Sequence, residues 1–241
     1  MQIQLDLLIR LLLAHILADF IFQPDAFLKN KSFKSPSLYI HGLIAGFLAY
    51  LFIFDFSEVW IFVVIFVSHV IIDGFKSMSK NGSMAFILDQ LSHIIIIVIC
   101  WILLTGINVT DFIKNDIDRI LFTRILIYVL SFALIIWPAN VLIYKSTRIW
   151  KNKDNGLEKQ DAKDGSKYIG YLERTLILIF ILSDIYEIIG FLIAAKSIFR
   201  FRGSKEADDN KKAEYILIGT LLSFLISILI GLMAKSLLES F

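Results

Sequence analysis

The sequence predicts an all-α fold, a polytopic membrane helix bundle of about six full spans plus a helical hairpin at 168–199. Of its 241 residues, 57% are hydrophobic, and the mean hydropathy is +0.74. Soluble domains are only about half apolar. The excess lies in long runs, and a spanning helix needs about 20 mostly apolar residues. An integral membrane protein is therefore expected.

Five runs in the first part of the chain meet or approach that length. They cover 5–23, 38–54, 59–75, 86–106 and 119–143. Pro24 ends the first run, because proline disfavours helix in the residue before it, and Pro138 should kink the fifth run. Asp55 and Glu58 bracket a very short turn, so the second and third runs should pack as an antiparallel hairpin. The first run lacks a basic start, which favours a retained helix over a signal peptide.

Charge alternates along the connections between the runs. Basic residues dominate 24–37, 76–85 and 144–167, whereas the intervening connections are acidic. The positive-inside rule then predicts five spans that start from an outside N-terminus and keep every basic connection in the cytoplasm.

The run 168–199 would break this alternation if it were a single span, because the basic stretch after it would lie outside. Residues 183–187 (Ser-Asp-Ile-Tyr-Glu) interrupt the run. A hairpin with arms 168–183 and 187–199 removes the conflict, although each arm is too short to cross about 30 Å upright. One long tilted helix is the alternative. A final span, 213–236, follows.

Four regions of one integrated membrane domain are predicted. They are a site-bearing four-helix bundle at 1–106, a fifth span at 107–143, a basic cytoplasmic loop at 144–167, and the hairpin plus final span at 168–241. The basic loop should lie along the anionic leaflet or be mobile. Membrane lipids are the expected partners, and sparse aromatic residues in the loop argue against nucleic acid. Cys100 is the single cysteine, so no intramolecular disulfide can form.

All four histidines lie at the edges of the first four runs, and three of them have an aspartate four residues away. The pairs are His15 with Asp19, His69 with Asp73, and His93 with Asp89, while His41 opens the second run. Residues four apart share one helix face, and ionisable groups in membrane helices are expensive and usually functional. The alternation of spans places all seven groups at one depth, in the cytoplasmic third of the bilayer. One polar site between helices is expected.

Imidazole and carboxylate groups are good ligands for zinc and related divalent ions. The predicted ligands are His15, Asp19, His69, Asp73 and His93. His41 and Asp89 could be ligands, a general base or groups that orient the ligands, and seven groups could hold two metals. Zinc is the expected ion, with manganese, iron and magnesium as alternatives. Interhelical hydrogen bonds or a proton relay would explain the same residues without a metal.

Three more polar residues are expected near the site: Gln23, Lys76 and Gln90. Gln23 should share a face with His15 and reach a substrate or a ligand. Lys76 can neutralise Asp73, contact an anionic head group, or simply snorkel to the interface. Gln90 follows Asp89 but should face elsewhere on its helix.

In the second half of the chain, Glu173 and Arg174 are predicted at the level of the histidines. Glu173 could complete the site as a general base, and Arg174 could hold an anionic group of a substrate. A plain ion pair between the two residues is the simpler alternative.

The sequence around these residues is distinctive. The stretches are Leu13-Ala-His15-Ile-Leu-Ala-Asp19-Phe-Ile-Phe-Gln23, His41-Gly42, His69-Val-Ile-Ile-Asp73-Gly-Phe-Lys76 and Leu88-Asp89-Gln90-Leu-Ser-His93. They resemble a bacterial membrane family, domain of unknown function family 3307, and stretches beginning at Gly170, Gly190 and Ala213 extend the likeness. The resemblance implies a protein of the bacterial inner membrane and no particular activity. A looser similarity to bacterial membrane proteins labelled metal-dependent hydrolases is an analogy only.

Three functions compete. The first is a metal-dependent hydrolase of a lipid-like or phosphoester substrate at the cytoplasmic leaflet, with Asp89 or Glu173 as base. The second is a structural or signalling membrane module in which the cluster only holds the fold. The third is a metal-ion or proton-coupled transporter, which the almost entirely apolar outer halves of the first four runs disfavour.

Overall fold

The computed structural model describes residues 5–24, 32–78, 82–106, 116–147, 160–201 and 207–240. Within these ranges the chain forms nine α-helices and one π-helical turn, with no β-strand. The helices are α1 Leu5–Ile16, continued by the π-turn Leu17–Ile21, α2 Pro36–Ile53, α3 Val59–Ser77, α4 Ser83–Gly106, α5 Asp116–Ile136, α6 Pro138–Thr147, α7 Gln160–Leu182, α8 Glu187–Phe201 and α9 Ala207–Glu239. The predicted all-α class is confirmed.

Five stretches are long and apolar enough to cross a membrane, by length and composition. They are Pro36–Ile53, Val59–Ser77, Ser83–Gly106, Ile117–Thr147 and Leu217–Glu239. This is close to the predicted bundle of about six spans. The first predicted run is helical from Leu5 to Ile21, which is slightly shorter than the others.

The chain divides into two compact units, Met1–Leu130 and Ser131–Phe241. In the described residues, the first unit holds α1 to α4 and most of α5, and the second holds the end of α5 and α6 to α9. The finer division into four sequence regions stays a prediction. Helices reach into both ends of the predicted loop 144–167, and its residues 148–159 lie outside the described part of the chain.

The pair α2 and α3 forms the antiparallel hairpin that the short turn predicts. Phe54 ends α2 in a left-handed conformation, with φ of 57°. Helix α2 then lies directly on the backbone of α3, since a Cβ on Gly46 would come within 2.7 Å of the Phe62 carbonyl oxygen. Small residues permit such close approach of membrane helices. The packing holds the start of α2 against the end of α3.

A buried arginine closes the other end of this bundle. Arg10 Nη1 donates hydrogen bonds to the carbonyl oxygens of Phe52 (3.2 Å) and Ile53 (2.9 Å), at the end of α2. Its Nη2 is 2.9 Å from the carboxylate of Asp6, one turn earlier in α1. The last carbonyls of a helix have no partner within it, and they attract cations. Arg10 therefore fixes α1 antiparallel to α2.

In the second unit, Pro138 separates α5 from α6, as its lack of an amide hydrogen predicts. Arg174 of α7 is buried beside this break, and its Nε donates a 2.7 Å hydrogen bond to the Ile135 carbonyl. Its other nitrogens lie 3.4 Å from Ser223 Oγ and Asn140 Oδ1. One guanidinium thus joins α5, α6, α7 and α9.

The predicted hairpin is present, because the helix breaks between Leu182 and Glu187. Lys196 of α8 pairs with Glu173 of α7, so the two arms run antiparallel side by side. At the tip, Asp184 accepts a hydrogen bond from Lys235 of α9.

Candidate metal centre

Four helix ends meet at one end of the first unit, and they carry all the histidines of the chain. These ends are the π-turn after α1, the start of α2, the end of α3 and the start of α4. The groups brought together are His15, Asp19, His41, His69, Asp73, Asp89 and His93. Six of them are buried and Asp19 is nearly so. The convergence expected from the spacing is present.

Asp19 lies in the π-turn, which no sequence signal had indicated. The Phe22 amide donates to the Leu17 carbonyl at 2.9 Å, a bond that spans five residues. Single π-turns inside helices are rare and are frequent at functional sites. The wider turn leaves Asp19 Oδ1 3.2 Å from His41 Nε2 and 3.8 Å from His15 Nδ1. Asp19 therefore faces two histidines from different helices.

Asp73 is completely enclosed and contacts histidines on two other helices. Its Oδ2 is 3.3 Å from His41 Nε2, and its Oδ1 is 3.9 Å from His93 Nε2. His93 Nε2 also lies 3.7 Å from Asp89 Oδ1 on its own helix. Each pair that the four-residue spacing predicted thus takes part in a contact between helices.

The position of the hydrogen on the His69 ring follows from its backbone contact. Its Nδ1 lies 3.0 Å from the Ile65 carbonyl one turn earlier, so this nitrogen must carry the hydrogen. In the neutral ring the lone pair then resides on Nε2, which lies 3.7 Å from Asp19 Oδ1. Such a backbone bond is the usual way in which a protein orients a metal-binding histidine.

Several buried ring nitrogens have no hydrogen bond within the described residues. They are His15 Nδ1, His69 Nε2 and both nitrogens of His93. The rings of His69 and His93 are close, with centroids 4.1 Å apart. Buried polar atoms are nearly always hydrogen-bonded in folded proteins. Unbonded imidazole nitrogens that face each other and carboxylates could hold a metal ion.

Gln90 and Lys76 complete the polar end of the bundle. Gln90 was expected to face elsewhere, but its amide nitrogen is 3.0 Å from Asp19 Oδ2 and 3.2 Å from Asp89 Oδ2. Its oxygen is 3.3 Å from His15 Nε2, so Gln90 links α4 to α1. Lys76 Nζ pairs with Asp89 Oδ2 at 2.5 Å, and the Lys76 side chain is partly exposed.

Three sets of groups have ligand atoms within 4.8 Å of one another, close enough to hold a metal ion. The sets are His15 with His69 and His93, Asp19 with His41 and His69, and Asp19 with Asp89 and His93. They include four of the five predicted ligands, and they add His41 and Asp89. Asp73 contacts members of these sets without appearing in one.

Comparison with known proteins agrees with the sequence resemblance. Residues 7–120 match the family described as "Protein of unknown function (DUF3307)". The matched residues make up a little under half of the 241-residue chain. The match contains every residue of the cluster and confirms the predicted family there; its extension from Gly170 onward stays a prediction. No curated protein and no solved structure has a significant match to the chain.

The remaining predicted site residues have other surroundings. Gln23 is half-buried and lies beyond the end of the π-turn in the DUF3307 region, so it no longer follows the face of α1. In the second unit, Glu173 pairs with Lys196, and Arg174 bonds the Ile135 carbonyl. Glu173 thus has an ion-pair partner in Lys196, while Arg174 serves a backbone carbonyl. Their predicted roles as base and substrate-binding group stay predictions.

Proposed function

We propose that the cluster binds a divalent metal, zinc being the expected ion, and that the protein is a metal-dependent membrane hydrolase. Its substrate would be a lipid-like ester or phosphoester at the cytoplasmic leaflet of the bacterial inner membrane. The observation that carries the proposal is the set of unbonded, buried ring nitrogens on His15, His69 and His93. Three histidines are a common ligand set in catalytic zinc sites, which keep a fourth position for water.

A bound divalent ion would polarise the scissile bond and lower the pKa of water toward neutrality. Asp89 supplies the second element, because its Oδ1 has no hydrogen bond within the described residues and lies among the histidines. A carboxylate in that position can accept a proton from the attacking water. Gln90 contacts both Asp89 and Asp19, and it would hold these two carboxylates in place.

Lys76 gives the proposal its substrate class. Its side chain is 24% exposed while that of its partner Asp89 is 1% exposed, so Lys76 connects the buried cluster with the outside. Phe75, Met78 and Leu88 are exposed at the same ends of α3 and α4. A cation among exposed apolar side chains suits an amphiphile with an anionic head group.

The test is elemental analysis of the full chain, purified in mild detergent without chelators, combined with an assay on vesicles of anionic phospholipid. Wild type should carry metal and release a water-soluble product detected by mass spectrometry. His69→Ala should lose both. The matched pair is Asp73→Asn in the cluster and Asp55→Asn in the α2–α3 turn, of which only the first should lose metal. A wild-type protein that carries no metal would contradict the proposal.

A structural metal is the second candidate, and one observation favours it. His41, His69, Asp73 and His93 are each no more than 1% exposed, which is the enclosure expected of a structural site. In that case metal removal would lower the melting temperature while wild type and variants remained equally inactive on every lipid. If wild type releases product and the cluster variants do not, the result supports the hydrolase over the structural metal site.

A further inference from the structure

The two oxygens of Asp73 point in different directions. Its Oδ2 is the oxygen near His41, and its Oδ1 is the oxygen near His93. These histidines belong to α2 and α4, on either side of α3. A carboxylate whose oxygens serve two separate imidazoles is placed to bridge two cations.

From this geometry we infer that the cluster is a centre for two divalent cations, and that its ligand class is a phosphate group. The inference rests on the proposed function, because it assumes that the cluster binds metal. The first cation would be held by Asp19, His41 and His69, and the second by Asp89 and His93, whose set also includes Asp19. Asp73 would be shared between the two cations.

The number of groups supports two ions. A zinc ion usually takes four ligands, whereas this cluster offers four imidazoles and three carboxylates. One ion would therefore use only some of the seven groups. The sets Asp19–His41–His69 and Asp19–Asp89–His93 share only Asp19, so each offers histidine ligands that the other lacks.

The short distances between the histidine rings also support a centre for two cations. Paired catalytic metal ions lie about 3.5–4 Å apart. The ring centroids of His69 and His93 are 4.1 Å apart, and those of His41 and His69 are 5.8 Å apart. His69 and His93, which the proposal assigns to different cations, therefore lie side by side, as ligands of neighbouring ions must.

Charge identifies the ligand class. Two divalent cations together with Lys76 exceed the charge of Asp19, Asp73 and Asp89, so the loaded centre is positive. A phosphate ester is negatively charged and has oxygens that two ions can bind together. In hydrolysis, the water oxygen forms a bond to phosphorus as the bond from phosphorus to the alcohol oxygen breaks. The alcohol oxygen keeps the electron pair and takes a proton from water, which gives an alcohol and a phosphate.

The experiment counts ions in the full chain and measures whether they are neighbours. The purified protein is stripped, titrated with Mn²⁺ and examined by electron paramagnetic resonance. Two ions per chain with a spin-coupled signal are expected, and inorganic phosphate should bind only at the second equivalent. The wild-type spectrum needs no variant, so a misfolded mutant cannot obscure it. His41→Ala should retain one uncoupled ion, while Asp55→Asn should behave as wild type.

The outcomes separate the two claims. One ion per chain, or two without coupling, overturns the two-cation centre and leaves the proposed metal function standing. No bound ion overturns both. Two coupled ions that do not bind phosphate overturn the assignment of the ligand class alone.

Discussion

Both units of this protein bury charged groups among apolar helices, but only one of them satisfies those groups. In the second unit, Arg174 donates to the Ile135 carbonyl and lies beside two polar side chains. In the first unit, His69 and His93 retain ring nitrogens without a hydrogen bond in the described residues. Burial of charge is therefore a weak sign of function by itself. The informative sign is a buried group whose partner the fold does not supply.

Arg10 shows that the contrast concerns the cluster rather than the unit. It belongs to the first unit, yet it bonds the last carbonyls of α2 much as Arg174 bonds the end of α5. Two guanidiniums at two helix ends thus serve the fold. Arg10 Nε is also buried without a hydrogen bond in the described residues, but His15, His69, Asp89 and His93 bring several such atoms together in one place.

Removing the metal should cause the largest loss of stability. A ligand present at about a thousandfold its Kd stabilises a protein by about 4 kcal/mol. We expect a strong chelator to lower the melting temperature of the wild-type protein in detergent by a corresponding amount. His69→Ala should start at a lower melting temperature and should not respond to the chelator. An equal chelator response in both proteins would contradict the assignment of the cluster.

Replacing each arginine by methionine should destabilise the protein without changing its metal content. Hydrogen bonds from charged groups contribute about 1.5–3 kcal/mol each. Arg10→Met should have the larger effect, because it also leaves Asp6 without its ion pair. Chemical unfolding in detergent measures the loss, and elemental analysis gives the metal content. If Arg174→Met lost the metal, Arg174 would have a role beyond the helix end.

Much of the fold could be predicted because it depends on local sequence. Run length and apolar content indicate the spans, Pro138 marks the break between α5 and α6, and the polar interruption at 183–187 marks the hairpin. The cluster could be predicted from two patterns. The four-residue spacing places each His/Asp pair on one helix face, and the alternation of the spans places all the pairs at the same end of the bundle. These inferences require no knowledge of which helices are neighbours.

The parts that the sequence did not indicate depend on distant contacts. Arg10 and Arg174 bond carbonyls about forty residues away, and no local pattern shows which carbonyls a helix end leaves free. Gln90 turns toward Asp19, 71 residues away in sequence, because α1 and α4 pack together. The π-turn around Asp19 also depends on distant contacts, because nothing in its local sequence distinguishes it from an ordinary α-helix.

Two glycine substitutions should have effects of intermediate size. Gly46→Ala places a Cβ 2.7 Å from the Phe62 carbonyl oxygen, so α2 must move away from α3. Such overpacking costs about 1–3 kcal/mol, and metal affinity should fall because α2 also carries His41. In the control Gly190→Ala, the new Cβ meets no described atom within 4 Å. That variant should be neutral or more stable by up to about 1 kcal/mol, with unchanged metal binding.

The smallest effect is expected at the hairpin tip. The hydrogen bond from Lys235 holds the pKa of Asp184 below its ordinary value of 3.8. A lowered folded-state pKa means that ionised Asp184 stabilises the fold fully above that ordinary value, and that this contribution is lost as the pH falls through the lowered pKa. Asp184 is exposed and makes a surface ion pair, so the contribution is small.

Asp184→Asn isolates this contribution, because asparagine also tolerates the left-handed backbone at φ of 62°. The wild-type protein should melt slightly above the variant at about pH 6, and the difference should vanish in acid well below the ordinary pKa. Metal content should be the same in both proteins at about pH 6. A difference that grew as the pH fell would mean that protonated Asp184, rather than its carboxylate, stabilises the tip.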